Sequence, residues 1–237
     1  MKYQFFSKTL FFPEKEILVI CDLHLGYEEM LLKQGITFPF EQLEQTMSEI
    51  EQIVLEIKRN YKIKKIILLG DLKHHFNFEI EEKYQIRKLF TFLKQFVDEE
   101  NIILINGNHD KIELDKMKYH DFWIEDDVAF FHGDKLFKEV LDKKVKTLVI
   151  GHVHPSVVIK DKSGIKKEKY KCFLVGKFKR KNLIIVPSFF HFIEGSELNE
   201  SYKHKKDFSI ISDKKLENFD KFVVGKNRVY KFGKMSP

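Results

Sequence analysis

Asn101-Ile102-Ile103-Leu104-Ile105, leading into Gly107-Asn108-His109-Asp110, is the stretch that decides how the rest of the chain is read. Its apolar part is short and rich in branched side chains, the pattern of a strand buried on both faces of a mixed or parallel sheet. At Gly107 the missing Cβ permits a tight turn. An amide, an imidazole and a carboxylate then follow in succession. Loops leaving the carboxyl ends of buried strands are where α/β sheets place their ligands.

Four other segments repeat the arrangement. Ile17 to Cys21 runs into Asp22-Leu23-His24, and Ile63 to Leu69 into Gly70-Asp71-Leu72-Lys73-His74-His75. Val128 to Phe131 runs into His132-Gly133-Asp134, and Thr147 to Ile150 into Gly151-His152-Val153-His154-Pro155. Residues two apart in an extended segment point to one side, so Asp22 with His24, and His152 with His154, are expected to converge. Each motif alone is more often a turn, a cap or a satisfied histidine. Their joint occurrence, each after an apolar run, is what points to a site. Asp22, His24, Asp71, Asn108, His132, His152 and His154 supply oxygen and nitrogen but no thiolate. That mixture suits manganese, iron or zinc better than calcium. Seven ligands fit two divalent ions that share a carboxylate and sit about 3.5–4 Å apart.

Working outward, Leu43, Met47, Ile50, Val54 and Ile57 recur at three and four, predicting an amphipathic helix from about 40 to 60. Ile86, Leu89, Leu93 and Phe96 mark a second helix over 79–96. Tyr3 to Phe6, Thr9 to Phe12 and Phe122 to Ile124 read as further strands. After Pro155 the helices stop. Val157 to Lys160, Tyr170 to Val175, Leu183 to Val186, Phe208 to Ile211, Phe222 to Val224 and Arg228 to Phe232 are strand-like, predicting a second sheet built mainly from hairpins. The expected fold is α/β, a four-layer sandwich of two mixed β-sheets flanked by helices. It forms one domain over residues 1–237, with a strand-rich, basic part from about 156 to the end.

At 43% hydrophobic and 33% charged the 237-residue chain can build a substantial core. No apolar run approaches the roughly 20 residues of a membrane span. With no signal-type N-terminus, Cys21 and Cys172 read as buried thiols of a cytoplasmic protein. The net charge of +6 is unevenly spread. Residues 1–159 hold 22 basic against 27 acidic side chains, and residues 160–237 hold 20 against 9. Such asymmetry points to a polyanionic partner or to a solvated lysine-rich surface, depending on whether the lysines share a face with the site.

Asp22-Leu23-His24, Gly70-Asp71, Gly107-Asn108-His109-Asp110, His132 and Gly151-His152-Val153-His154 together resemble the signature of the calcineurin-like metallophosphoesterases, in family order over residues 17–155. Asp22 to Glu28 and Val186-Pro187-Ser188-Phe189 are similar to archaeal phosphoesterases related to the SbcD repair nuclease and to bacterial ligase-associated DNA-damage-response endonucleases. The resemblance implies one metal on Asp22, His24, Asp71 and His154, and another on Asp71, Asn108, His132 and His152, with Asp71 bridging. It implies His109 as the catalytic imidazole and His74 as a histidine assisting near the substrate phosphate. Lys73 departs from the apolar or aromatic residue usual there.

The expected function is therefore a dinuclear phosphoesterase of phosphodiesterase or nuclease type. Its cations, manganese first, acidify a water that attacks phosphorus, and its substrate is a nucleic acid, DNA foremost, in a repair setting. Hydrolysis of small phosphoesters or nucleotides is the alternative, and a non-catalytic scaffold on the same fold is a second one. A homodimer stays open. His191 reads as a packing or loop histidine, Ser188 and Glu194-Gly195 as weak candidates for the site wall, and His120, His204 and His75 have no argued partner.

Overall fold

A computed structural model of the chain describes residues 2–36, 41–74, 80–110, 117–161, 163, 166–192, 195–197 and 209–234. The first half builds one sheet and its helices. Strands β1 (Gln4–Phe6), β2 (Thr9–Phe12) and β3 (Ile17–Ile20) precede helices α1 (Tyr27–Lys33) and α2 (Gln42–Lys58). Strand β4 (Lys65–Leu69), helix α3 (Ile80–Leu93), β5 (Ile102–Ile105) and β6 (Tyr119–His120) follow. The strand order is β1-β2-β3-β4-β5-β6, antiparallel through β3 and parallel from β3 onward.

The second half contributes β7 (Phe122–Glu125), β8 (Val128–Phe131), β9 (Thr147–Ile150), β10 (Pro155–Lys160), β11 (Lys167–Phe178), β12 (Lys181–Ile185) and β13 (Ser196–Glu197). Helix α4 (Asp213–Leu216), β14 (Asp220–Val224) and β15 (Val229–Gly233) complete it. This sheet runs β13-β10-β11-β12-β9-β8-β7, with β14 added to β11 and β15 to β14. Its core strands β8, β9 and β12 are parallel, and hairpins surround them.

Burial on both faces explains the unbroken apolar runs. In β3, β4 and β5, Leu18, Ile20, Ile66, Leu68, Ile102 and Leu104 face α2 and α3. Their alternates Ile17, Val19, Ile67, Leu69, Ile103 and Ile105 face the second sheet. Phe130, Val149, Phe173 and Ile184 answer from that sheet, and Phe5 stacks on Phe173 with ring centroids 4.1 Å apart. The outer face of the second sheet carries Phe131, Leu148, Ile150, Leu183 and Ile185, covered by Val140, Leu216, Phe219 and Ile211. The layers are therefore helices, sheet, sheet and an outer cover that, among the described residues, consists of short helical turns.

Two expectations from the sequence change. The strand expected over Phe208 to Ile211 is absent from its described part. Residues 209–211 form a bend, held by the Ile210 N–H donating to the Gly133 carbonyl at 3.1 Å. Phe208 lies outside the described residues. Helix α1 is not legible in the sequence because it buries none of its residues and so carries no apolar stripe.

Candidate metal centre

Register brings the strand ends together. Ile20 lies beside Leu68, and Leu69 beside Ile105, so β3, β4 and β5 release Asp22, Asp71 and Asn108 at one edge. In the second sheet the parallel pair β8 and β9 releases His132, His152 and His154 at its own carboxyl end. Backbone bonds tie these loops to one another. Asp22 N–H donates to Gly70 O at 3.2 Å, His24 N–H to Asp71 O at 2.9 Å, and Gly151 N–H to His132 O at 2.9 Å.

The convergence is achieved by a different backbone from the one expected. Asp22, His24, Asp71, His152 and His154 all have positive φ, of 51°, 47°, 46°, 64° and 47°. These are left-handed kinks, not extended segments, and each costs on the order of 1 kcal/mol or more in a residue with a Cβ. Strain of that kind persists where the surroundings over-determine it, as they do at functional sites. Gly107 is needed for a related reason. Its φ is not positive, but a Cβ there would land on the Asp71 carboxylate and backbone nitrogen.

Two groups of side chains form, and Asp71 belongs to both. Ligand atoms of Asp22, His24, Asp71 and His154 lie within 4.8 Å of one another, as do those of Asp71, His132 and His152. In the first group His154 Nε2 is 3.2 Å from Asp22 Oδ2 and 3.4 Å from His24 Nε2. In the second, His132 Nε2 is 3.3 Å from Asp71 Oδ2, 3.0 Å from Asn108 Oδ1 and 3.0 Å from His152 Nδ1. All seven sequence-derived ligand candidates are thus in one place.

His109 stands just outside both groups. Its backbone N–H donates to Asp71 Oδ1 at 3.0 Å, and its ring Nδ1 is 2.6 Å from the His74 carbonyl. A carbonyl only accepts, so Nδ1 carries the hydrogen. Nε2 is then left facing the centre, 4.0 Å from Asp71 Oδ2. The His74 ring lies 6.0 Å from that of His109 and packs edge-on against Tyr27 at 4.9 Å. Asp110 accepts from the N–H groups of Gly107, Leu72 and Lys73, bracing the Gly107 loop against the Asp71 loop.

The electrostatics favour a cation. Burial alone would raise the Asp22 carboxyl, but His154, His132 and His24 outweigh it and hold it well below the usual range. Asp71 is lowered in the same way, against its burial, by His132. Burial and then His154 push His24 down to about 3. His132 is pushed up to about 9, its burial outweighed by the hydrogen bond to Asp71 and by the charges of Asp22 and Asp71. Two buried carboxylates and facing imidazole nitrogens need positive charge between them. Asp22 Oδ1 and His24 Nδ1 have no hydrogen-bond partner among the described residues. The Cys21 thiol donates to Asp22 Oδ2 at 3.0 Å, with burial raising its pKa well above normal, so it is not a thiolate ligand. An oxygen and nitrogen set of this kind fits divalent cations.

The loop over residues 186–192 contributes more than the sequence indicates. Ser188 Oγ donates to Asp22 O at 2.9 Å, and Phe189 N–H to Cys21 O at 2.7 Å. Phe190 packs its ring 5.7 Å from His24. The loop is held by Lys8, whose ammonium donates to Phe189 O at 2.9 Å and to Glu49 at 2.8 Å. His191 closes this cluster through Glu49 at 2.9 Å. Nothing in the Ser7-Lys8 turn signals a partner 181 residues away. His120 packs on Trp123 at 5.1 Å and belongs to neither ligand group. His75, Glu194 and His204 lie outside the described residues.

Facing mixed sheets with carboxylates and imidazoles gathered at their carboxyl ends define a metallophosphoesterase. Residues 15–156 match the calcineurin-like phosphoesterase family, and the chain belongs to it. It is accordingly a phosphoester hydrolase by family, and the family uses divalent metals. A solved structure of the Pseudomonas putida nuclease MPE shares the fold, with a TM-score of 0.59 at 17% identity over 96% of this chain and 100% of that one. A conserved uncharacterized protein of Streptococcus pneumoniae TIGR4, described as a predicted phosphoesterase, aligns at 11% identity and a TM-score of 0.37 over 99% of each chain. No curated protein matches the chain.

Proposed function

We propose that the chain is a two-metal phosphodiesterase that cleaves nucleic acid, with DNA as the first candidate and manganese as the first metal. Asp22, His24, Asp71 and His154 would hold one cation, and Asp71, Asn108, His132 and His152 the other. When bound, two such cations lower the pKa of a water and neutralise the oxygens of a phosphate. Asp110 and Gly107 keep the two loops in register. His109 holds a proton on Nδ1 through the His74 carbonyl and directs Nε2 inward. As the imidazolium carrying a second proton on Nε2, it would donate that proton to the leaving oxygen and return to the neutral ring. His74 supplies that carbonyl and packs against Tyr27, and its ring would assist near the substrate phosphate.

The observation that carries the reading is His109: an imidazole oriented at the centre but outside both ligand groups. A binding scaffold has no use for it. Nucleic acid is supported by the basic charge of residues 160–237, by the nuclease-branch resemblance of Asp22 to Glu28 and Val186 to Phe189, and by the name of the P. putida neighbour. Because both sheets supply ligands, residues 1–237 are taken as one domain. No described helix is long and apolar enough to cross a membrane.

The test compares bis-nitrophenyl phosphate, nitrophenyl phosphate and labelled single-stranded DNA with manganese present. Cleavage of the diester and of DNA, reduced about 10²–10⁴-fold in His109→Ala with the metals retained, is the expected result. Diester turnover without DNA cleavage would replace the polymer by a small phosphoester. Loss of the metals from His109→Ala would contradict its role, and silence on all three substrates would leave a scaffold.

A further inference from the structure

Among the described residues β15 pairs only with β14. Its Val229 packs with Phe222 and Val224 against the core between the sheets. Tyr230 stands opposite Val223, which faces the outer core, so it projects to the other side. Phe232, two residues on, shares that side. Tyr230 is 47% and Phe232 50% exposed, a pair of neighbouring rings and not the scattered apolar residues of an ordinary surface. The pairing slips between Phe222, opposite Lys231, and Lys221, opposite Gly233, so no β14 residue opposes Phe232. Such a bulge re-aims a side chain and interrupts a sheet edge. Cations surround the two rings. Lys226, Arg228, Lys231 and Lys234 are exposed, and none has a carboxylate partner among the described residues. Arg228 instead lies over the Tyr230 ring, 4.7 Å from its centroid. The hairpin also stands at the metal end of its sheet. Strand β14 runs with β12, β9 and β8, because β11 is antiparallel to both β14 and β12. Ile150, Ile185 and Leu174 share one row across the sheet. The row two residues on holds Cys172, Val223 and Tyr230, level with His152 beyond the end of β9.

We propose that Tyr230 and Phe232, with Arg228 and the lysines beside them, form a ledge on which a single nucleic-acid strand stacks its bases while a phosphate farther along it sits at the metal centre. This rests on the phosphodiesterase reading above. Four strand spacings separate β15 from β9, about 19 Å, which about six nucleotides span. The cations attract phosphates, and the rings offer apolar area that only unpaired bases can cover by stacking. A duplex keeps its bases inside and leaves the rings uncovered. A second copy of the chain, adding a strand to this edge, is opposed by the bulge and by four like charges. Every base has a face to stack, so the ledge is indifferent to sequence.

The test is binding to the manganese-loaded full chain across a salt series. The probes are a labelled twelve-nucleotide thymidine strand with phosphorothioate linkages, which resist cleavage, and the same backbone without bases. A uridine strand of the same length distinguishes an RNA from a DNA source. The wild type is compared with Tyr230→Ser/Phe232→Ser and with Lys226→Gln/Arg228→Gln/Lys234→Gln. Loss of the rings should weaken thymidine binding at least about tenfold with the salt slope kept, and should leave the baseless strand bound as by the wild type. Loss of the three charges should lower the slope of log affinity against log salt by about 2. The ledge would be overturned by no binding to the wild type, by equal wild-type affinity for the two backbones, or by thymidine binding unchanged without the rings. Tighter binding of a duplex of the same length would overturn it too, as would a wild-type dimer in sedimentation that the ring variant dissolves. Turnover of bis-nitrophenyl phosphate, too small to reach the hairpin, separately reports the metal centre. Failure of the ledge and failure of the phosphodiesterase reading are therefore distinguishable.

Discussion

Gly107 shows how closely the centre is assembled around single atoms. A Cβ at this position would occupy the space of the Asp71 carboxylate, the one group common to both ligand clusters. Gly107→Ala is therefore expected to displace Asp71, costing about 1–3 kcal/mol in urea unfolding, as overpacking does elsewhere. It should also weaken metal binding in calorimetry. Unchanged metal affinity would show that the close approach is incidental. The sequence marks Gly107 as a turn, and the structure makes it a point of contact. Similarly, the sequence shows that Asp22, His24, His152 and His154 belong together, because their residue types after apolar runs are read from identity alone. It does not show their left-handed backbones. Those are imposed by contacts such as Asp22 N–H to Gly70 and His24 N–H to Asp71, between segments far apart in the chain.

At the scale of elements, the 186–192 loop is fastened to α2 and the β1–β2 turn through Glu49. Burial would raise this carboxyl, but hydrogen bonds from His191 and Lys8, with the charge of Lys8, lower it from 4.5 to about 2. A carboxyl depressed on folding adds stability that is fully present above its unfolded pKa and is lost as the pH falls through the folded value. Glu49→Gln should therefore cost on the order of 2–3 kcal/mol at neutral pH, and the difference from wild type should shrink between about pH 4.5 and pH 2. Denaturant titrations at several pH values measure it, and a difference independent of pH would contradict it. The strands of this architecture are legible because both faces of β3, β4 and β5 are apolar. The fastening is not, because Lys8, Glu49 and Phe189 come from three distant segments with no pattern in common.

For the whole molecule, the first sheet supplies Asp22, His24, Asp71 and Asn108, and the second supplies His132, His152 and His154. Cations bound between them would join the two sheets, and binding to the folded chain alone stabilises it by mass action. Adding manganese at about 100 times its dissociation constant should contribute about 2.7 kcal/mol for each site filled. A rise in the thermal midpoint reversed by a chelator is the expected result, and a midpoint indifferent to both would show that the sheets are not joined through metal. The charge imbalance between the halves is legible from composition. That Tyr230 stands level with His152 requires the register of β9, β12, β11 and β14.

The most direct measurement is the metal content of the manganese-loaded protein after gel filtration, for the wild type and for Asp71→Ala. Two metal ions per wild-type chain and almost none in the variant are expected, because Asp71 lies in both ligand groups. A wild type that retains none, or a variant that keeps both, would contradict a pair of cations held at the meeting point of the two sheets.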